Sequence, residues 1–600
     1  MHKSSNINTL RAVINDFLIS SIAQAFPELD NHSINPVLQV ATIAGFGDYQ
    51  SNGAMALAKQ LKVNPRDVAS SIVTKIEANN QKSPIFSKIE IAGPGFINLW
   101  LDDKFLSTKL KKLFQSDDLD VDINQGKGLK VAIDYSSPNV AKEMHIGHLR
   151  STIIGDSFAR ILGFLGYDVI RQNHLGDWGT QFGMLIQYLI ENRQNKELKE
   201  KQMSDLNFLY KESKKLFDHD INFAKKARNR VVLLQQGDKE TNQYWHDIVD
   251  NSVQYFQNIY SDLGVLLTQD DVKGESFYNN FLKQIVEKLD ALGLVELSDG
   301  AKVIFLEGFE TKEKKPLPFM IQKSDGGFLY ATTDLAAANY RINDLNAGRI
   351  IYVTDARQKQ HFEMLFGVLN KANLTKDVKL EHICFGAILG ADRKPFKTRS
   401  GETIKLSLLI QEAKERAYKL VSTKNPELSE HDKRNISAKV GIGALKYADL
   451  CNDKIKDYIF DWDKMLAFDG NTAPYLQNAY VRIKAIFRKV DIDNKDILNF
   501  DMKNLENFIS DNNVFEHNLT LGLLSFKEII YDVADNLELH KLCNYLYNLA
   551  STFHKFYENC SISKAENDDI RRNRLILCSI TAETLRIGLS LLGIDVLDLM

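Results

Sequence analysis

Two histidines three residues apart, His145 and His148, place imidazole donors on one short stretch of chain, in the string His145-Ile146-Gly147-His148. A strand-like run, Leu129 to Tyr135, lies upstream. Downstream, Ile154, Phe158, Ile161, Leu162 and Leu165 recur at helical spacing, so the motif is expected between a strand and a helix. That position in an α/β sheet binds phosphates, because the free N–H groups of the helix start face the anion. The imidazoles add donors there, and Gly147 lets another molecule approach the backbone closely. A bare H-x-G-H is also common among core histidines; the strand-loop-helix setting gives this one its meaning.

Further clusters close other strand-like runs. The run 167–173 ends in Asn173-His174-Leu175-Gly176-Asp177-Trp178-Gly179. Two glycines around an acid and a Trp suit a tight loop against a ligand, or an ordinary loop with a packed Trp. The run 349–354 ends in Asp355-Ala356-Arg357-Gln358-Lys359-Gln360-His361. Before it stands Tyr330-Ala331-Thr332-Thr333-Asp334, where a Thr or Asp334 could cap a helix from Leu335. The run 382–389 leads into a loop with Arg393, Lys394, Lys397 and Arg399, bounded by Gly390 and Gly401. Such a loop suits a polyphosphate; a solvated charged loop is the alternative. Ligands of open parallel sheets bind at the carboxyl ends of the strands. Cations and carboxylates gathered there imply a substrate with an anionic and a cationic part.

These strands alternate with helical stretches, which predicts a parallel sheet interrupted between about 185 and 325. Residues 188–260 are charged and helical. Before the sheet, Lys88 to Leu101 reads as two strands about a Gly93-Pro94-Gly95 turn, and Gln115 to Gly128 as a linker. After about Ser407 the spacing is helical, as at Leu521, Leu524, Ile529, Ile530 and Val533, with Pro474 interrupting it. Five cysteines without a C-x-x-C pair argue against a zinc ribbon or a disulfide framework. A net charge of −3 means that any contact with nucleic acid must use a local basic face. Met1 to Ile19 reads as an amphipathic helix broken by Arg11 and Asp16, not as a signal peptide. With no run of 18 apolar residues, a cytoplasmic location without membrane contact is expected.

The strings SSPNVAKEMHIGHLRST, NHLGDWGTQFG, LYATTDLAAANYR, YVTDARQKQHF and GAILGADRKPFKTRSGETIKL together resemble the arginyl-tRNA synthetases, within the class I aminoacyl-tRNA synthetases. The resemblance extends to Leu592-Gly593-Ile594. It implies an N-terminal α+β domain, residues 1–115, that binds the tRNA elbow. It implies a Rossmann-like parallel-sheet catalytic domain, 116–406, with insertions at about 185–325. A C-terminal all-α bundle, 407–600, would bind the anticodon with its part from about 460. The implied reaction joins L-arginine and ATP into arginyl-adenylate, releasing pyrophosphate, then esterifies the terminal ribose of tRNA(Arg). Members generally need bound tRNA for the first step. Mg²⁺ accompanies the ATP, no zinc is implied, and the usual form is a monomer.

Residue by residue, the resemblance assigns ATP binding and catalysis to His145, Gly147 and His148. The second class I motif usually reads K-M-S-K-S; here Phe396-Lys397-Thr398-Arg399-Ser400 replaces it. In such cases a lysine just before the histidines substitutes, which makes Lys142 the principal phosphate cation, assisted by Lys397 and Arg399. The arginine set maps onto Asp134, Asn139, Tyr330, Asp334 and Gln358. Asp134 and Asp334 are the candidates for the guanidinium and α-ammonium ends, in an order the sequence leaves open. For tRNA, Phe96 and Asn98 match positions used at the elbow, although Phe96 could equally be core. The run Tyr475 to Lys489, with Tyr475, Tyr480, Arg482 and Arg488, interleaves aromatics and cations as an anticodon surface would. A solvated helix face is the alternative. A nucleotidylyltransferase shares H-x-G-H but lacks the helical tail and the Gly-Asp-Trp-Gly loop.

Overall fold

The computed structural model describes residues 8–600 except 31–32, 42, 44, 195–205, 397–403, 493–495, 498–499 and 501–506. The N-terminal unit holds strands β1 (Leu38–Val40), β2 (Tyr49–Ser51), β3 (Phe86–Ala92) and β4 (Phe96–Leu101), in the antiparallel order β1-β2-β4-β3. β3 and β4 form the expected hairpin. The first described helix is Leu10–Ala25, capped by Thr9, whose side chain accepts the Ala12 N–H. It starts later and runs further than the expected helix; Met1 to Ile7 lie outside the described residues.

The stretch read as a linker is a fixed connector. Leu119 and Val121 are buried, Asp120 bonds Lys112 (2.8 Å) and Lys527 (3.1 Å), and the Asp122 N–H donates to Tyr531 Oη (2.8 Å). These contacts tie the N-terminal unit to the C-terminal helices.

The central sheet begins with β5 (Lys130–Asp134), followed by the helix Ile146–Phe164 and β6 (Asp168–Gln172), parallel to β5. The helices Thr180–Glu191, Leu206–His219, Ile221–Gln235 and Lys239–Leu263 then enter, as the charged helical stretch predicts. After them comes a small antiparallel sheet that periodicity did not single out: β7 (Glu296–Ser298), β8 (Ala301–Glu310) and β9 (Pro316–Gln322). The main sheet resumes with β10 (Arg349–Asp355) and β11 (Lys379–Phe385), giving the parallel order β11-β10-β5-β6. The run read as one strand over 382–389 divides into the end of β11 and a separate β12 (Ile388–Leu389), which pairs with β13 (Tyr458–Ile459).

Alternation along the strands divides the core. Val131, Ile133, Ile351 and Val353 face the helix Ile146–Phe164 and the C-terminal bundle. Ala132, Ile350 and Tyr352 face a second core shared with the inserted sheet. The helix lies so close to the end of β5 that a Cβ at Gly155 would collide with the Tyr135 side chain. The C-terminal region is helical from Leu406–Lys424 to Asp568–Leu591, with β13 as a short exception. Pro474 does not interrupt a helix there; it begins Ala473–Lys489, where its missing N–H costs nothing. Among the described residues no helix is long and apolar enough to cross a membrane.

Candidate active site

The carboxyl ends of β5, β6 and β10 lie side by side, with Asp134 registered between Gln172 and Tyr352. Two chemically different groups of side chains, the ends of the candidate site, are built on this edge.

The first is the histidine loop. His145 is the N-cap of Ile146–Phe164, and its Nδ1 accepts the Gly147 N–H at 3.0 Å. Nδ1 of His148 accepts the His145 N–H at 3.0 Å, closing a reciprocal capping box made from two imidazoles. Each ring has its Nδ1 engaged as an acceptor, so in the neutral form its proton sits on Nε2. The neutral form is favoured. Burial, with Arg357 and Lys142 nearby, lowers the pKa of His145. Burial and the neighbouring His145 push His148 down to about 3. The pair is therefore two fixed N–H donors rather than a proton shuttle. Gly147 serves this geometry directly, because a Cβ there would lie 2.8 Å from the His145 ring.

Lys142 rests with Nζ 4.7 Å from the centroid of Tyr210, on an inserted helix. Lys397 and Arg399 lie outside the described residues, but both anchors of their loop are seen. Phe396 bonds back to Ile388 and stacks on Phe460, 4.6 Å away. On the far side the Ile146 N–H donates to Ile404 and the Leu406 N–H to Met144, with Lys405 paired to Glu143 at 2.7 Å. Residues 404–406 thus lie against the histidine loop.

The second end is acidic. The buried Asp134 pairs through Oδ2 with Arg341 (2.7 Å), which is 0% exposed, and accepts the Ser137 hydroxyl on Oδ1 (2.8 Å). Asp334 lies between two imidazoles: Oδ2 is 2.6 Å from His361 Nε2, and Oδ1 is 3.9 Å from His174 Nε2. It does not cap its helix. That helix is Tyr330–Asn343, five residues longer at its start than expected, with Leu329 as N-cap, and Asp334 stands on its second turn. Tyr330, 65% exposed, leans on His361. Gln358 is exposed on the turn after β10, and Asn139 is exposed where its loop bridges to Gly176.

Glu275 was not anticipated. Burial, then Asp177 and Asp334, raise its carboxyl to about 7, which puts a third acid near Asp334. It comes from inserted sequence without a motif, so the sequence held no signal for it. In the Gly-Asp-Trp-Gly loop the acid and the Trp are held within the protein. Asp177 accepts the Ser276 N–H (2.8 Å) and hydroxyl (2.6 Å), and Trp178 packs against Trp245.

The residues assigned to tRNA divide. Phe96 is half-buried, but Asn98 is 2% exposed and accepts Gln50 Nε2 at 2.8 Å. Ile97, Leu99 and Leu101 point into the core, so Asn98 shares the other face of β4 with Phe96, covered there by its bond to Gln50. Tyr480 is likewise buried in the bundle core, where helical spacing puts it on the inner face. Tyr475 and Arg482 share the outer face; Tyr475 approaches Tyr547 and His554, and Arg482 bonds His554 Nδ1 at 2.7 Å. Arg488 is exposed and donates to the Asp598 carbonyl at 3.1 Å.

Comparison with known proteins fits this geometry. Residues 109–462 match the catalytic domain of the class I (R) tRNA synthetases, 476–600 the DALR anticodon binding domain, and 9–101 the arginyl tRNA synthetase N terminal domain. The arginine–tRNA ligase of Laribacter hongkongensis is 48% identical over 99% of this chain and 100% of its own. That of Escherichia coli K12 is 47% identical over 94% and 96%. The solved arginyl-tRNA synthetase of Plasmodium falciparum superposes with a TM-score of 0.82 at 34% identity, covering 100% of both chains. The Thermus thermophilus structure, at 22% identity and TM-score 0.76 over 98% and 100%, supports the fold. The chain belongs to the arginyl-tRNA synthetases, class I enzymes that use ATP to ligate arginine to tRNA.

Proposed function

We propose that the acidic end of the cleft takes the side chain of L-arginine and the histidine loop takes the ATP phosphates. The observation that carries this reading is the pairing, on one sheet edge, of two Nε2–H donors with a carboxylate flanked by the imidazoles of His361 and His174. Both oxygens of Asp134 already hold Arg341 and Ser137, which suits a single further bond to the α-ammonium. Asp334 retains the capacity for a guanidinium, with the exposed Tyr330 ring as a platform. Asn139 and Gln358, exposed at the loop ends, hold the α-amino and carboxylate groups. Lysine would leave part of this acceptor set unpaired and is rejected more strongly than a lost methylene would allow.

The arginine carboxylate attacks the α-phosphate without a protein nucleophile, so catalysis is alignment and charge stabilisation. His145 and His148 donate from Nε2 as charge moves onto the departing pyrophosphate. Lys142, Lys397 and Arg399 supply the cations. Mg²⁺ comes as the ATP complex, held by phosphate oxygens and water, and neutralises part of the triphosphate. No zinc takes part.

We assign residues 1–115 to the tRNA elbow, 116–406 to catalysis and 407–600 to the helical junction and anticodon domain. Phe96 and Asn98, with Gln50 bonded beside them, face the elbow; Tyr475, Arg482 and Arg488 face the anticodon arm. The enzyme acts as a monomer in the cytoplasm, beside the tRNA(Arg) pool that translation uses. Aminoacylation of total tRNA with each labelled amino acid in turn tests the reading: arginine alone should charge, and charging by any other amino acid would replace it.

A further inference from the structure

The scheme above gives His361 no role beyond flanking Asp334, yet it makes the shortest contact of the acidic end. It stands on the helix Lys359–Lys371, its side chain 16% exposed, with Nε2 2.6 Å from Asp334 Oδ2. Its ring is boxed in. Phe319 stacks on it at 5.8 Å and 24°, Tyr330 approaches at 5.0 Å, and Phe362 meets it edge-on at 5.3 Å. Three rings thus surround the imidazole.

Phe319 belongs to β9 of the inserted sheet, and the same strand is tied to the helix bearing Asp334. The Thr332 hydroxyl of that helix donates to the Ile321 carbonyl of β9. One strand therefore fixes both partners of the hydrogen bond: the helix that carries the acid and the ring that backs the imidazole. The inserted sheet, otherwise without a role, becomes the back wall of the amino-acid pocket.

We propose that His361 is a positioning residue for arginine recognition and that β7-β8-β9 is the wall that holds it. A carboxylate must lie in the plane of a guanidinium to accept two parallel bonds from it. Without His361, Asp334 would lose the one side-chain hydrogen bond found on its carboxylate among the described residues. The fixed donor on Oδ2 selects one orientation before arginine arrives, and so lowers the ordering cost of binding. The inference rests on the assignment of Asp334 to the guanidinium.

The test is ATP–pyrophosphate exchange with tRNA present, for H361A, H361Q, F319L and D334N, with thermal melting of each. In H361A the KM for arginine should rise about 10–10²-fold, as expected for losing one hydrogen bond to a charged group, with the KM for ATP within about twofold. H361Q, whose amide N–H can take the place of Nε2–H, should recover most of the loss. F319L should move the same constant in the same direction, by less. An arginine KM unchanged in folded H361A while D334N raises it would overturn the inference. If H361A does not fold, unchanged arginine KM in both H361Q and F319L overturns it. An arginine KM unchanged in D334N would instead remove the reading of Asp334 itself.

Discussion

The two ends of the cleft are built by different means. The histidine end is local: one capping box within a four-residue string fixes both rings, and backbone N–H groups hold them. The arginine end is long-range. Asp134 is set by Arg341, 207 residues away, and Asp334 by His361, 27 residues away, while Glu275 arrives from an insertion. Local geometry survives changes elsewhere in the fold; the assembled end depends on the inserted sheet. The lesson is that chemistry common to a class can be written in one short motif, whereas specificity for one amino acid needs several elements to converge.

The largest expected effect is at the local end. His148→Ala should slow adenylate formation by about 10²–10³, the cost of removing one donor to developing charge, while the arginine KM changes little. Single-turnover kinetics measures both. Asp334→Asn should mainly raise the arginine KM, by about 10²-fold, because the neutral amide leaves the guanidinium without its counter-charge; the ATP KM should stay near wild type. Steady-state exchange kinetics separates the two constants.

A smaller effect is expected at Lys142, which rests on Tyr210 of an inserted helix. Lys142→Ala should lower the adenylation rate by about tenfold or more. Tyr210→Leu should lower it by less, as a cation–π contact is worth about 1 kcal/mol. Equal losses in the two variants would make Tyr210 more than a resting place. Rates near wild type in Lys142→Ala would remove that lysine from the phosphate site.

The smallest effect lies outside the cleft, where His517 joins the N-terminal unit through Asp103 (2.6 Å) and Asp48 (3.1 Å). Burial opposes the charged ring, but these two carboxylates outweigh it and raise its pKa to about 9. A raised folded pKa stabilises below the unfolded value, near 6.5, and that stability fades as pH climbs through about 9. The difference in melting temperature between wild type and His517→Asn should therefore be greatest near pH 6 and shrink toward pH 10. A difference flat with pH would show that the ring is not charged in the folded protein.

These contrasts also explain what the sequence disclosed. β5, β6, β10 and β11 were legible because β-branched runs ended in glycine, histidine or acid, and the histidine motif because its strand-loop-helix setting is local. The inserted sheet was missed although Asp299-Gly300, both at positive φ, marks the β7–β8 hairpin; the strands beside that turn are weak signals, since β7 is three residues, only part of β8 alternates and Pro316 to Gln322 includes two prolines. Asp334 read as a cap because Thr332 and Thr333 beside it are common caps; only the start at Tyr330 shows otherwise. Tyr480 read as a tRNA contact by residue type, but its burial depends on which face of the helix meets the core, and the cover over Asn98 comes from Gln50 on the neighbouring strand. Arg341, Glu275 and His361 could not be placed, because their partners lie far along the chain.

The most direct test is single-turnover adenylate formation against arginine concentration, with tRNA and saturating ATP, in Asp334→Asn and Lys142→Ala. The division of labour predicts that the first shifts the half-saturating arginine concentration and keeps most of the plateau rate. The second should lower the plateau and leave half-saturation in place. If both variants moved both quantities in equal proportion, the cleft would not have the two separate ends described here.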